Sequence, residues 1–338
     1  MGFISTIWLL CSFFDPIISR FSNGASMTRP TATGLIPVLA TPFHDDGTLD
    51  APSLARLVAF EERCGVDAVA VFGMASEGFT LTTDDRAEIL ATLRSVSPDM
   101  HVVAGVSAPG VGPALEQLEA IADGGARTAM VMPPHMVKPS PAQVVDFFGM
   151  VADRADSLGV SVMVQDAPGA TGLEMSADTL SKVCLSDAVV SVKIESPPTL
   201  VKFEALWPVA ELTGTLMIGG MNAQFVVDEY ALGSVGTMPA CEFSDLLVPV
   251  LDRLAAGDHT RAREIYGRLL PLLVWGLQPG IAYAVHKEIL VHRGIIESAA
   301  VRAPARPISD AMRLATIDVF DSVLSDVTEV AECSPVRA

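Results

Sequence analysis

The sequence predicts an α/β fold, a (β/α)8 TIM barrel with additional C-terminal helices, from three observations. From Gly34 onward, short apolar and β-branched runs alternate with longer helical patterns. There are eight such runs, and eight βα units close naturally into a barrel. No G-x-G-x-x-G follows the first run, which counts against a doubly wound open sheet.

Gly34 to Ala40 is the first strand, ending in Thr41-Pro42-Phe43, and Asp50 and Pro52 open a helix with Leu54, Leu57 and Val58 on one face. Val66 to Phe72 is the second strand, and Thr82-Thr83-Asp84-Asp85 is a capping pattern for the next helix. His101 to Val106 is the third, with its helix over Pro113 to Ala122. Thr128 to Met132 is the fourth, ending in Pro133-Pro134. Ser140-Pro141-Ala142-Gln143 then supplies an N-cap serine, a proline at N1 and a glutamine at N3. Val160 to Val164 is the fifth strand, with a helix from Ser176; Val189 to Ile194 is the sixth. Thr215 to Ile218 and Gly236 to Met238 are the seventh and eighth. Helical segments are expected near 244–255, 259–275, 279–292 and 308–325. The expected organisation is a flexible or non-native extension over 1–30, a barrel over 31–243 and a C-terminal helical region over 244–330. In the extension, the apolar run from Gly2 to Phe14 is too short to span a membrane, and no Lys or Arg precedes Arg20. A cleaved targeting segment is the alternative there.

With 338 residues, half of them hydrophobic and 18% charged, the chain can bury a large core. A formal charge of −18 counts against nucleic acid and against an anionic membrane as partners, while leaving an anionic small molecule open. Five scattered cysteines (Cys11, Cys64, Cys184, Cys241, Cys333) without C-x-x-C spacing fit reduced thiols in a cytoplasmic protein and suggest no metal site.

The chemistry centres on the sixth strand. Strand alternation puts Ser191, Lys193 and Glu195 on one face, and the valines with Ile194 on the other. A buried amine is driven toward its neutral, nucleophilic form and can add to a ketone to give a Schiff base. The other reading is a lysine salt-bridged to Glu195 or another carboxylate. Barrel enzymes gather their chemistry at the C-terminal ends of several strands. Beside Lys193, those ends here carry Gly73 to Glu77, His135, Gln165-Asp166, Gly219-Gly220 and Met238. The turn at Gly73–Glu77 can cradle a carboxylate on backbone N–H groups. Ser76 reads as a hydroxyl donor or as a turn residue, and Glu77 as a structural group. His135, set by Pro133-Pro134, can exchange protons near neutral pH or have no role. His44, His101, His259, His286 and His292 are expected to be structural.

These motifs carry a resemblance. Pro37-Val38-Leu39-Ala40-Thr41-Pro42-Phe43, the G-x-x-x-E turn at Gly73–Glu77, Val192-Lys193-Ile194-Glu195 and the C-terminal helices resemble the dihydrodipicolinate synthase / N-acetylneuraminate lyase family from Gly34 to about Val323. Met163-Val164-Gln165-Asp166-Ala167-Pro168 and Lys193-Ile194-Glu195-Ser196-Pro197 look most like its branch of 2-keto-3-deoxy-sugar-acid dehydratases, such as the L-2-keto-3-deoxyarabonate enzyme. The resemblance implies a Schiff base on Lys193 with a short 2-oxo acid, no metal and no organic cofactor. It also implies a carboxylate site on the N–H groups of Ala75 and Ser76, and a homo-oligomer, either a dimer or a tetramer built from dimers. Gln165, Gly220 and Met238 are the further expected substrate-binding residues, and His135 the second catalytic one. His135 occupies the place after strand four where the family relays protons through a tyrosine. Met74 and Ala75 stand where the family often has hydroxyls. The expected reaction is dehydration or retro-aldol cleavage of a 2-keto-3-deoxy acid. A pyruvate-dependent aldol-type synthase, and a non-catalytic oxo-acid sensor, are the alternatives.

Overall fold

A computed structural model of the chain describes residues 29–331 and 335–336. Cys11, Cys333 and residues 1–28, which make up most of the expected extension, lie outside the described residues. Eight strands alternate with helices: β1 (Gly34–Leu35), α1 (Ala51–Arg63), β2 (Ala68–Val71), α2 (Thr83–Val96), β3 (His101–Val106), α3 (Val111–Asp123), β4 (Thr128–Val131) and α4 (Pro141–Ser157). They continue with β5 (Ser161–Asp166), the short α5 (Pro168–Thr171), α6 (Ala177–Val183), β6 (Val189–Ile194) and α7 (Thr199–Thr213). Next come β7 (Leu216–Gly219), α8 (Val226–Ala231) and β8 (Ser234–Thr237). The C-terminal helices are α9 (Ser244–Ala255), α10 (His259–Trp275), α11 (Ala282–His292) and α12 (Asp310–Ala331).

All pairings among these eight strands are parallel, in the order β1-β8-β7-β6-β5-β4-β3-β2. Val38 closes the ring by bridging both Ala70 and Ala240. The first strand is shorter than its apolar run suggests. Pro37 has no N–H to donate, so regular pairing stops at Leu35. Its carbonyl still accepts from Ala70 N–H at 2.8 Å, and Leu39 N–H returns a bond to Ala70 O.

Alternation along the strands separates two apolar layers. Ile36, Val38, Ala70, Val103, Met130, Met163, Ile218 and Met238 fill the barrel interior. Val189, Val192 and Ile194 join the larger layer between barrel and helices. Strict alternation would turn Val189 toward the lysine's face, but the register shifts between Val162 and Met163, so Val162 pairs with Val189 and Met163 with Ser191. The capping boxes expected at Thr82–Asp85 and Ser140–Gln143 are both formed.

In the C-terminal region, α9 packs on α10, and both α10 and α11 pack on α12. Polar ties fix α11 to the chain after β8. His286 Nδ1 lies 2.7 Å from Glu242 Oε1, and Arg293 grips Asp245 through two bonds of 2.9 and 2.7 Å. His286 is thus a buried structural histidine, as expected. His101 begins β3, at the barrel end away from Lys193, and bonds Thr128; burial lowers its pKa to about 4, so it stays neutral. Among the described residues no helix is long and apolar enough to cross a membrane.

Candidate active site

Lys193 lies near the C-terminal end of β6 and is buried. Its cross-strand partners are Gln165 on β5 and Ile218 on β7, so one polar and one apolar side chain flank it at the same level. Lys193 Nζ is 3.2 Å from Glu195 Oε2. Gln165 Nε2 donates to that same oxygen at 2.8 Å, and Met221 N–H reaches Oε1 at 3.4 Å. Lysine, glutamine and glutamate thus form one hydrogen-bonded trio over a floor that includes Met130, Met163 and Ile218. The side chain of Glu195 keeps 18% of its surface exposed, so the trio faces open space rather than closed core.

Glu195 was legible as a charge partner for Lys193, but its position as the hub between Lys193 and Gln165 was not. Gly220 makes that position possible. A Cβ there would stand 2.4 Å from Glu195 Cγ and 2.8 Å from Cδ, closer than such atoms approach. Gly220→Ala should push the carboxylate off the lysine and lower turnover by about 100-fold, a typical cost of misplacing a catalytic group by about 1 Å. The melting temperature should stay near wild type, and an unchanged turnover would contradict this role for Glu195.

The turn after β2 is the second part. Phe72 and Glu77 both have left-handed φ, +62° and +54°, which is uncommon for residues with a Cβ. Gly78 is required beside them, because a Cβ there would meet Phe72 O at 2.2 Å. Glu77 N–H bonds Met74 O and Gly78 N–H bonds Gly73 O. Thr41 Oγ1 donates to Ser76 O at 2.6 Å. The N–H groups of Ala75 and Ser76 have no acceptor among the described residues, and Ser76 Oγ is buried without a partner. The turn therefore offers three donors and no fixed counter-group.

Glu77 is structural, as expected from the sequence. Its buried carboxylate meets Lys287 Nζ of α11 at 2.5 Å and Arg302 N–H at 2.9 Å. Burial pulls the Lys287 ammonium down to about 8, against the opposing pull of Glu77.

The other expected residues are distributed around the same barrel end. His135 follows β4, half-buried, with Nδ1 buried and unpartnered among the described residues; it is not bonded to the lysine trio. Met238 N–H bonds Gly219 O, and its side chain belongs to the apolar interior.

Two further buried carboxyls couple to Glu195: Asp166, which the sequence placed at the end of the fifth strand, and Glu229, which sequence reasoning missed. Asp166, whose Oδ2 is 3.3 Å from Lys202 Nζ, is raised by burial to about 6. Glu229 accepts from Thr199 Oγ1 at 2.9 Å and is raised by burial to about 7, with Glu195 and Asp228 adding to the rise. A carboxyl whose folded pKa lies above its unfolded value costs stability as pH rises between the two. For Glu229 that window runs from about 4.5 to about 7, and the loss is about 3 kcal/mol. Glu229→Gln removes the slope. Its melting temperature relative to wild type should therefore climb by roughly 5 °C between pH 5 and pH 8, whatever fixed offset the amide brings. Parallel pH profiles for the two proteins would contradict the assignment.

The comparisons with known proteins agree with this architecture. The chain is 30% identical over 288 residues to L-2-keto-3-deoxyarabonate dehydratase of Azospirillum brasilense, covering 82% of this chain and 90% of that one. It is also 30% identical over 295 residues to 4-hydroxy-tetrahydrodipicolinate synthase of Chlorobaculum parvum, covering 84% and 95%. Among solved structures, dihydrodipicolinate synthase from Rhodopseudomonas palustris superposes with a TM-score of 0.81 at 27% identity, over 88% of this chain and 100% of that one. Sialic acid aldolase from Ruminococcus gnavus shares the fold, with a TM-score of 0.80 at 18% identity, over 88% and 99%. A family profile matches residues 31–321, and with that match the chain belongs to the dihydrodipicolinate synthetase family, whose members are lyases and synthases.

Proposed function

We propose that the protein is a Schiff-base lyase that dehydrates, or cleaves by retro-aldol reaction, a short 2-keto-3-deoxy acid. The observation that carries this reading is the buried Lys193 amine 3.2 Å from a carboxylate that Gln165 also holds. Passing its proton to Glu195 frees the amine to add to C2 of a 2-oxo acid. Loss of the C2 oxygen as water leaves a protonated iminium, which draws electrons from C3. Glu195, having returned its proton to the departing C2 hydroxyl, is the base that takes the C3 proton and so generates an enamine.

Two outcomes follow, dehydration from this enamine and retro-aldol cleavage from the iminium itself. In dehydration the enamine electron pair expels the C4 hydroxyl, which takes back a proton and leaves as water; a second water hydrolyses the iminium to an unsaturated 2-oxo acid. In retro-aldol cleavage the iminium keeps its C3 protons: the C4 hydroxyl loses its proton, the C3–C4 bond pair moves onto C3 and forms the enamine, an aldehyde departs, and protonation of C3 followed by hydrolysis releases pyruvate. The substrate carboxylate sits on the N–H groups of Ala75 and Ser76, with Ser76 Oγ as a third donor. His135 is the acid at C4, giving a proton to the leaving hydroxyl. The relative named as a sugar-acid dehydratase supports this reading.

An aldol-type synthase, the reverse of the cleavage, is the second reading, favoured by the equal identity to a relative named as a synthase. Incubation with a panel of 2-keto-3-deoxy acids, and with pyruvate plus aldehydes, decides between them by product mass. The proposal expects loss of one water, or an aldehyde with pyruvate. Condensation alone, with no breakdown of any keto-deoxy acid, would contradict it.

A further inference from the structure

We infer that Lys287 is a positioning residue, through which the C-terminal region sets the carboxylate-binding turn after β2. This inference rests on the substrate pose just proposed. Glu77 ends that turn in a left-handed conformation, and its side chain enters a fully buried ion pair. The partner comes from the far end of the chain. Lys287 Nζ also donates to Ala300 O at 2.7 Å and lies 4.3 Å from the Phe43 ring centre.

Arg302 completes the clamp. Its N–H holds the second Glu77 oxygen, its guanidinium lies 4.2 Å from the centre of the same Phe43 ring, and two bonds tie it to Asp85 at the start of α2. It further reaches Thr80 O and Gly47 O. The turn is thus gripped at its exit by groups from α11 and from the chain leading to α12, while Thr41 holds Ser76 O. No member of this clamp belongs to the lysine trio. What it fixes is the direction of the Ala75 and Ser76 N–H groups, whose unfavourable neighbouring φ values need external support.

The consequence is a separation of binding from chemistry. Lys287→Met keeps the length of the side chain and removes its charge. Loss of aimed donors to a carboxylate should raise KM for the turned-over 2-oxo acid by about tenfold or more, while kcat stays within about threefold. Hydrogen–deuterium exchange of the peptide covering residues 73–80 should accelerate about tenfold, with β5 and β6 unchanged. Should the orphaned Glu77 carboxylate prevent folding, Glu77→Gln combined with Lys287→Met removes that charge and is read the same way.

Wild-type exchange at 73–80 with a wild-type KM would overturn the inference, as would an equal fall in kcat and kcat/KM. A lower melting temperature with neither change would mark Lys287 as a stabilising residue only, and would also overturn it. If wild-type protein forms no adduct at Lys193, the Schiff-base reading falls; the exchange measurement, together with equilibrium binding of pyruvate to both proteins, still decides whether Lys287 positions the turn.

Discussion

Lys193→Ala is expected to lose turnover of a 2-oxo acid by on the order of 10⁴-fold or more, because no other group in the site can carry the covalent step. The fold should survive the change. Removing one partner of a buried ion pair is damaging when the other charge is stranded. Here the remaining carboxylate keeps Gln165 and the Met221 N–H, and it is partly open to water. A melting temperature within a few degrees of wild type is therefore expected alongside the lost activity. The same variant separates enzyme from sensor: a protein that only reports on an oxo acid would keep its biological output without the amine.

Glu195→Gln is expected to lower kcat by about 10²- to 10⁴-fold, the range for removing a positioned proton-transfer group. The amide has the same shape and can still accept from Gln165, so geometry is preserved while basicity is removed. The direct readout is deuterium incorporation at C3 of pyruvate in heavy water, followed by NMR. Wild-type protein should exchange the methyl protons through the enamine, and the variant should exchange them far more slowly. Undiminished exchange would mean that Glu195 serves only as a counter-charge to Lys193, and the base would have to be sought elsewhere, with His135 the first candidate.

Much of this was legible in the sequence because it depends on local periodicity. Eight apolar runs, the capping boxes at Thr82 and Ser140, and the C-terminal helices followed from short-range pattern, and all but the shortened first strand formed close to their expected bounds. Lys193 could be placed on the inner face because alternation along one strand is a rule of backbone geometry. The site's support was not legible for the opposite reason. Arg302 bonds Glu77 across a separation of 225 residues, and Lys287 meets it from the middle of α11, contacts that only closure of the barrel and docking of the C-terminal helices create. The role of Glu195 depended on Gly220, just after the next strand, which the sequence marked as a substrate-binding residue and not as the space that the Glu195 side chain occupies. Pro37 cut the first strand short for a reason visible in sequence, since a proline cannot donate to a ladder.

Whether Lys193 is the nucleophile is decided by borohydride reduction followed by peptide mass spectrometry. In the presence of pyruvate or a 2-keto-3-deoxy acid, the account predicts one stable adduct, on the peptide carrying Lys193, absent from Lys193→Ala. Folded protein that yields no adduct at Lys193 with any 2-oxo acid, or an adduct on a different lysine, would contradict it.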